Sequence, residues 1–142
     1  MLLDDERYAL VVAYGRDAVG KFNEKRMEEG FAIAKQGWQA FPESGAKWNQ
    51  GYNYAKMVFD HALKTGDMKN AKCWLDRMIQ NNDELHLYDF EMEHIKAKYE
   101  FEIGNLEEAF ELWKNLIKQK GVGYRYFEFD DLKYKEFYKS RK

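Results

Sequence analysis

The densest group of potential metal ligands lies between His86 and His94. This segment, HLYDFEMEH, contains two histidines and the carboxylates of Asp89, Glu91 and Glu93. Glu91 and His94 have the Glu-x-x-His spacing of di-iron helical bundles, which places both side chains on one helix face. Such a site also requires a second Glu-x-x-His pair, and the chain has none. A polar surface is therefore favoured, and a helical enzyme or a metal or small-ligand binder that uses residues 86–94 is the alternative.

Nucleophilic and cofactor chemistry lack a complete set of residues. Cys73 is the only cysteine, which excludes an internal disulfide, and its position beside Trp74 predicts a small buried side chain. His61 lies between Phe59 and Leu63, which predicts a partly buried, hydrogen-bonded histidine. No phosphate-binding loop, dinucleotide fingerprint, nucleophile elbow or zinc signature occurs. The sequence therefore predicts no catalytic residue, no cofactor and no metal.

Aromatic and charged residues are interleaved in residues 124–138. Such a strip could stack the bases of a single-stranded nucleic acid. Four acids in the same stretch would repel phosphates: Glu128, Asp130, Asp131 and Glu136. We therefore expect the tail to cap the helical domain, since the terminal repeat of a stack needs a cover. The aromatic residues expected to anchor it are Phe127, Phe129, Tyr134, Phe137 and Tyr138.

Charge is separated along the chain although the net charge is only −2. Residues 81–108 carry nine acids and two lysines, whereas residues 133–142 carry five bases and one acid. The small net charge gives no field that would attract nucleic acid or anionic lipid. The opposite signs of the two segments predict an intramolecular contact or a head-to-tail association.

Composition predicts a soluble, all-α protein. A chain of 142 residues fits one domain, 1–142, and ten Phe, ten Tyr and four Trp provide a large core. A single proline favours long helices, so we expect about three-quarters of the residues to be helical. The first residues have no basic stretch before an uninterrupted apolar run, so they match neither a signal peptide nor a membrane span. We expect a cytoplasmic protein with no membrane partner.

Apolar periodicity predicts six helices, paired as hairpins at about 3–41, 46–81 and 84–119. Pro42 ends the second helix, and residues 81–83 (Asn-Asn-Asp) are expected to cap the fifth. A tail at 122–142 ends in a short helix after Asp130, and residues 124–129 alternate briefly like a strand. The individual helices are expected at about 3–20, 23–41, 46–64, 68–81, 84–103 and 106–119.

Two helix junctions align without gaps, GDMKNAKCWLDRMIQ from Gly66 and GNLEEAFELWKNLIK from Gly104. Each glycine ends a helix in the left-handed conformation, and Asp67 or Asn105 then caps the next helix. Asn105 and Glu108 are spaced as a capping box. An alanine follows five positions after each glycine, with large apolar residues four and seven positions later. The alanines of the three copies are Ala34, Ala71 and Ala109, and the copy at Ala34 continues with Trp38 and Phe41.

This pattern resembles the helical hairpins of the tetratricopeptide-repeat (TPR) family. The resemblance covers residues 46–119 best and rests on the glycine turn, the small residue at the helix contact and the large residue four positions later. It implies three antiparallel hairpins stacked as a short right-handed superhelix. It also implies a non-catalytic adaptor or regulatory module that binds a protein or peptide. Three hairpins are near the minimum for a stack, so an exposed end could also be completed by a second copy, as in a self-assembling structural subunit.

The same resemblance places the binding surface on a concave groove formed by the first helices of the hairpins. Their polar residues alternate in charge, which would fix the register of a bound peptide. The implied groove residues are Tyr14, Asp17, Asn53, Lys56, Asp60, Lys64, Glu91, His94, Lys98 and Glu102.

Overall fold

A computed structural model describes residues 1–142, and all of its regular structure is helical. Helices contain 77% of the residues, which confirms the all-α fold class and the expected helical fraction. None of them combines the length and apolar character that a membrane span requires. The seven α-helices are α1 (Asp5–Asn23), α2 (Met27–Gln39), α3 (Asn49–Thr65), α4 (Met68–Leu85), α5 (Asp89–Glu102), α6 (Leu106–Ile117) and α7 (Leu132–Arg141).

The chain divides into two compact units, Met1–Leu87 and Tyr88–Lys142, here called the N-terminal and C-terminal units. The N-terminal unit contains the helix pairs α1–α2 and α3–α4. The C-terminal unit contains the pair α5–α6, followed by the tail with a 3₁₀ turn at Arg125–Phe127 and helix α7.

The turns that define the repeat are confirmed. Gly66 and Gly104 have φ angles of 77° and 87°, the left-handed conformation that a side chain disfavours. Ala34, Ala71 and Ala109 are completely buried, as expected for residues at a close helix contact. The carboxylate of Asp67 accepts a hydrogen bond from the amide of Asn70 (3.0 Å) and caps α4.

The predicted capping box at α6 is wrong. Asn105 makes no side-chain cap bond, and its amide nitrogen instead donates to Glu100 at 2.9 Å. The Asn105 side chain therefore binds a carboxylate of the preceding helix, α5, instead of capping α6.

Two predicted boundaries near the middle of the chain are also wrong. Helix α4 continues through the supposed cap at residues 81–83 and ends at His86, whose φ is 51°. Asn81 is completely buried, and its Nδ2 lies 3.2, 3.2 and 2.9 Å from the carbonyl oxygens of Gly45, Ala46 and Trp48. The polar side chain thus binds the 3₁₀ turn Gly45–Lys47 and the residue after it, before α3, instead of ending its own helix. Helix α5 starts only at Asp89.

The core of the N-terminal unit depends on close contacts at small residues. Gly37 on α2 lies against the side chain of Tyr54 on α3, and a methyl group there would overlap the Tyr54 hydroxyl. That hydroxyl donates a hydrogen bond to the carbonyl of Ala34 at 2.7 Å. The Tyr54 ring also packs near Trp38 and Trp74, with centroid distances of 6.3 and 6.0 Å. Aromatic packing and a satisfied hydroxyl therefore hold α2, α3 and α4 together.

The core of the C-terminal unit is completed by the tail, as the sequence predicts. Phe127, Tyr134 and Tyr138 are buried, and Phe127 and Tyr134 lie 5.3 and 5.8 Å from the ring of Trp113 on α6. Full burial of each such ring contributes roughly 1.5–3 kcal/mol. The brief strand-like pattern at 124–129 is instead a 3₁₀ turn. One anchor was predicted wrongly, because Phe129 is 97% exposed.

Candidate functional site

A chain of polar side chains crosses the interior of the C-terminal unit. The indole Nε1–H of Trp113 on α6 donates to Nδ1 of His94 on α5, at 2.9 Å. His94 Nε2 lies 2.9 Å from Oδ2 of Asp130, in the loop before α7. Lys98, one turn after His94 on α5, donates from Nζ to the same oxygen at 2.8 Å. These four residues, here called the clasp, join α5, α6 and the tail.

The donors and acceptors of the clasp fix the state of the His94 ring. An indole N–H can only donate, so Nδ1 of His94 must be the acceptor. The ring proton therefore lies on Nε2, from which it is donated to the carboxylate of Asp130. A second proton on Nδ1 would point at the Trp113 N–H, so His94 is held as the neutral tautomer with its hydrogen on Nε2.

Burial and charge favour the same protonation states of His94 and Asp130 as the hydrogen-bond geometry does. Burial lowers the pKa of His94 and outweighs the hydrogen bond to Asp130, which alone would raise it. Burial alone would raise the pKa of Asp130, but the hydrogen bonds from His94 and Lys98 outweigh it and hold that pKa well below its usual range. Near neutral pH the clasp therefore contains one carboxylate, one ammonium group and one neutral imidazole.

The Asp130–His94 pair resembles half of a catalytic triad but lacks its free base. In a triad the nitrogen opposite the aspartate accepts a proton from the nucleophile. Here that nitrogen already accepts from Trp113, and His94 is only 3% exposed. The arrangement can fix three segments of the chain against one another, but it leaves no imidazole lone pair for a substrate.

A second polar contact ties the tail to α5. Tyr134 donates its hydroxyl to Glu102 Oε1 at 2.9 Å, and Lys133 Nζ lies 2.7 Å from the same oxygen. Burial raises the pKa of Tyr134, and the Glu102 hydrogen bond raises it further. The pair Lys133–Glu102 also joins the acidic segment 81–108 to the basic segment 133–142, which is the intramolecular contact expected from the charge pattern.

Other bases of the tail converge on Tyr124. The ammonium groups of Lys135, Lys139 and Lys142 lie 5.9, 5.5 and 5.5 Å from the centre of its ring. Lys142 also donates to the Tyr124 hydroxyl at 2.9 Å, which lowers the pKa of this phenol. These contacts place part of the basic segment over an aromatic ring rather than over the acids of α5.

The expectation that His94 and Lys98 lie on an accessible groove is wrong. They are 3% and 7% exposed, because the clasp turns both side chains toward the tail. Glu102 is half-buried and contacts Tyr134 and Lys133, and Glu91, earlier on α5, is also half-buried. The predicted polar row on α5 is thus used largely to attach the tail.

The first helices of the N-terminal unit lie side by side. A methyl group on Gly15 of α1 would be 3.5 Å from the Tyr54 ring and 3.7 Å from Met57 Cε of α3. Farther along, the rings of Phe22 and His61 stack with centroids 4.6 Å apart. The half-buried His61 therefore contacts α1, and burial lowers its pKa.

The predicted groove residues of the N-terminal unit differ in their surroundings. Asn53 and Lys64 are exposed on α3, and Lys56 and Asp60 are half-buried on the same helix. Asp17 is exposed on α1. The half-buried Tyr14 lies with its Cβ beside Gly37 of α2, inside the α1–α2 pair. The structure therefore brings together the four residues of α3, while Tyr14 packs within its own hairpin.

The residues of the alternative metal site are not assembled into one. No three His, Cys, Asp or Glu side chains come together in a way that could hold a metal ion. His86 ends α4 in the N-terminal unit, whereas His94 is enclosed by the clasp in the C-terminal unit. The predicted burial of Cys73 is also wrong, because this cysteine is exposed on α4.

Sequence reasoning missed the role of Asp130. In sequence it is one of four acids of the tail, and its partners lie 36 and 32 positions earlier in the chain. The sequence does contain one signal for such a partner. His94 and Lys98 are four positions apart, so they lie on the same face of α5 as the buried Ala97. Two basic side chains at a core edge require an acid nearby, but periodicity does not identify which acid.

Comparisons with known proteins add no relative. No family model matches the chain, and no curated protein or solved structure is significantly similar to it.

Proposed function

We propose that this protein is a non-catalytic interaction module that binds a peptide or a protein segment on the concave face formed by its first helices. The observation that carries the proposal is the side-by-side packing of α1 and α3, at Gly15 against Tyr54 and Met57 and at Phe22 against His61. TPR-like proteins use adjacent first helices of this kind as a groove. The proposal includes a TPR-like stack and a cytoplasmic location, in keeping with the lone exposed thiol.

A polar stripe on α3 supplies the recognition groups. Asn53, Asp60 and Lys64 recur at positions i, i+7 and i+11, so they share one side of the helix. Met57, whose methyl group lies next to Gly15 of α1, belongs to the same side. A segment lying beside α1 would therefore meet an amide, a carboxylate and an ammonium group in sequence, which suits polar recognition of an extended chain.

The clasp supports the non-catalytic part of the proposal. Its histidine, His94, is the most deeply buried of the three histidines of the chain, and both of its ring nitrogens are hydrogen-bonded. The Asp–His pair therefore lacks the free imidazole lone pair that general base catalysis would require.

The test is affinity capture with a matched pair of variants. The double variant Asn53→Ala/Lys64→Glu alters two exposed residues of the proposed face, and Lys35→Glu/Gln36→Ala makes the same chemical changes at exposed positions of α2. We expect both variants to melt like the wild-type protein, since such surface changes stay within about ±0.5 kcal/mol each.

The expected result is a partner retained by the wild-type protein and the α2 variant, with affinity at least about tenfold lower for the α3 variant. Equal affinity for all three proteins would show that the binding surface lies elsewhere. Isothermal titration with the purified partner gives these values directly.

A further inference from the structure

Phe129 is the most exposed large apolar residue of the chain, at 97%. Leu132, three residues later, is 62% exposed. The other aromatic residues of the tail are buried or half-buried against the core of the C-terminal unit, so Phe129 is an exception among them. Single exposed apolar residues are common, but a phenylalanine that is almost completely solvated gains nothing from folding.

The clasp holds Phe129 in this position. On one side of it, Phe127 is buried against Trp113, and on the other the Asp130 carboxylate is bound inside by His94 and Lys98. The Asp130 amide donates to the Phe127 carbonyl at 3.2 Å, which closes a tight turn around Phe129. The loop is thus fixed at both ends, so a partner would lose little conformational entropy by binding it.

We propose that Phe129 and Leu132 form a docking knob that inserts into an apolar pocket with a basic rim on another protein. The rim follows from the flanking charges. Glu128 and Asp131 are exposed on either side of Phe129, and Asp131 uses its carboxylate to cap α7. Lysine or arginine residues around the pocket would complement these acids. This surface belongs to the C-terminal unit, and it shares with the proposed function only the premise that the chain binds a protein.

The size of the knob argues for insertion rather than for a flat interface. A phenylalanine and a partly exposed leucine offer roughly 300 Å² of apolar surface, whereas a stable interface buries about 800 Å² on each partner. Isolated aromatic anchors of this size contribute most when they fill a preformed pocket. A partner with a concave apolar site therefore fits better than a flat one.

Charge also argues against a second copy of this chain as the partner. The C-terminal unit has a depression whose apolar lining residues are Phe90 and Leu116. The charged residues of its lining are Asp89 and Glu93, which carry the same sign as the acids beside the knob and so do not complement them. The depression is lined by Asp89, Phe90, Glu93, Asn115, Leu116 and Gln119.

A photo-crosslinking experiment tests the knob in the full chain. Benzoylphenylalanine replaces Phe129 in one protein and Ile103, an exposed residue of the same unit, in the control. After irradiation in cells that express the protein, we expect a cross-link at position 129 only. Peptide mapping should place it in an apolar segment of a different protein, close to Lys or Arg residues. A cross-link to a second copy, equal cross-linking at both positions, or none at position 129 would overturn the proposal.

The affinity of single variants for the partner identified by cross-linking then tests the knob independently of the proposed groove. We expect Phe129→Ala to weaken binding by roughly 30-fold or more without changing the melting temperature, since the side chain is outside the core. If Phe129→Ala binds the partner as tightly as the wild-type protein, the knob proposal is wrong, whatever the affinity of the Asn53→Ala/Lys64→Glu variant. If Phe129→Ala weakens binding and the α3 variant does not, the knob stands and the proposed groove fails.

Discussion

The two units close their interiors by different means. In the N-terminal unit two helix pairs cover each other, and the central contact is a neutral tyrosine that fits against a glycine and bonds to a backbone carbonyl. In the C-terminal unit one helix pair is covered by a tail, and the central contact joins a buried histidine and a buried lysine to a half-buried aspartate. The first interior depends on shape, whereas the second depends on the protonation of its groups.

This difference has an energetic cause. A helix pair alone leaves one apolar face uncovered, and α5–α6 obtains its cover from a segment of some twenty residues that must be ordered. Aromatic burial provides most of the stabilisation, but it does not select a unique position for the tail. Charged hydrogen bonds with fixed donors and acceptors do select one, which is the best-supported use of buried polar groups.

The largest expected effect is that of removing the tail. A chain that ends after Gly123 loses Phe127, Tyr134 and Tyr138, each worth roughly 1.5–3 kcal/mol. We expect the C-terminal unit to unfold or aggregate, as measured by circular dichroism and light scattering. Removal of Arg141 and Lys142 alone, which are exposed, is the control. An equally stable, monomeric truncated protein would show that α5–α6 needs no cover.

A single charge in the clasp should have the next largest effect. Asp130→Asn leaves the ammonium group of Lys98 buried without a carboxylate, which costs about 3–5 kcal/mol. The neighbouring Glu128→Gln removes an exposed charge and should stay within about ±0.5 kcal/mol. Urea denaturation of both variants gives the comparison. If the two changes had equal effects, the clasp would not stabilise the tail.

A pair of glycine substitutions tests the shape-dependent interior. Gly37→Ala forces a methyl group against Tyr54 and should destabilise by about 1–3 kcal/mol. Gly20→Ala, within α1, meets no neighbour and should stabilise by about 0.4–1 kcal/mol through the unfolded state. Thermal melts measure both. A stable Gly37→Ala protein would mean that α2 and α3 can move apart at little cost.

The smallest expected effect is that of mild acid. The pKa of His94 lies below its usual 6.5 in the folded protein, so the unfolded chain binds a proton first as the pH falls. Its contribution to stability is therefore complete above pH 6.5 and decreases in the window just below, by at most about 1.4 kcal/mol per pH unit. The lowered pKa of Asp130 adds a further loss as the pH falls below 3.8.

Melting curves between about pH 7.5 and 5 measure this loss. His61 has a lowered pKa as well, so the His61→Gln variant is needed to isolate the share of His94. That variant should still lose stability in acid. A pH-independent melting temperature for it would contradict the assignment of His94 as a neutral, buried ring.

Local rules predicted the helices and turns well. Gly66 and Gly104 mark real helix ends, and the alanines five positions later are buried, because these features depend on a few adjacent residues. The same rules failed at Asn81 and Asn105. Both are good capping residues, but each side chain found a partner elsewhere, which local sequence does not reveal.

The candidate site was less predictable because its parts are far apart in sequence. The TPR resemblance implies that His94 and Lys98 belong to the groove, but an amphipathic pattern does not show which face a later segment will cover. The tail aromatics correctly indicated that a cover exists. They did not show that Asp130 would turn inward and Phe129 outward, because this depends on a 3₁₀ turn two residues earlier.

The hydrogen bond from Trp113 to His94 also provides a spectroscopic reporter. Trp113 is the only tryptophan of the C-terminal unit, whereas Trp38, Trp48 and Trp74 belong to the other unit. Its indole proton is buried and bonded to a ring nitrogen, so its resonance should be displaced from those of solvated indoles and exchange slowly with deuterium. A single nuclear magnetic resonance signal would therefore report whether the tail is attached, in a sample that is otherwise folded.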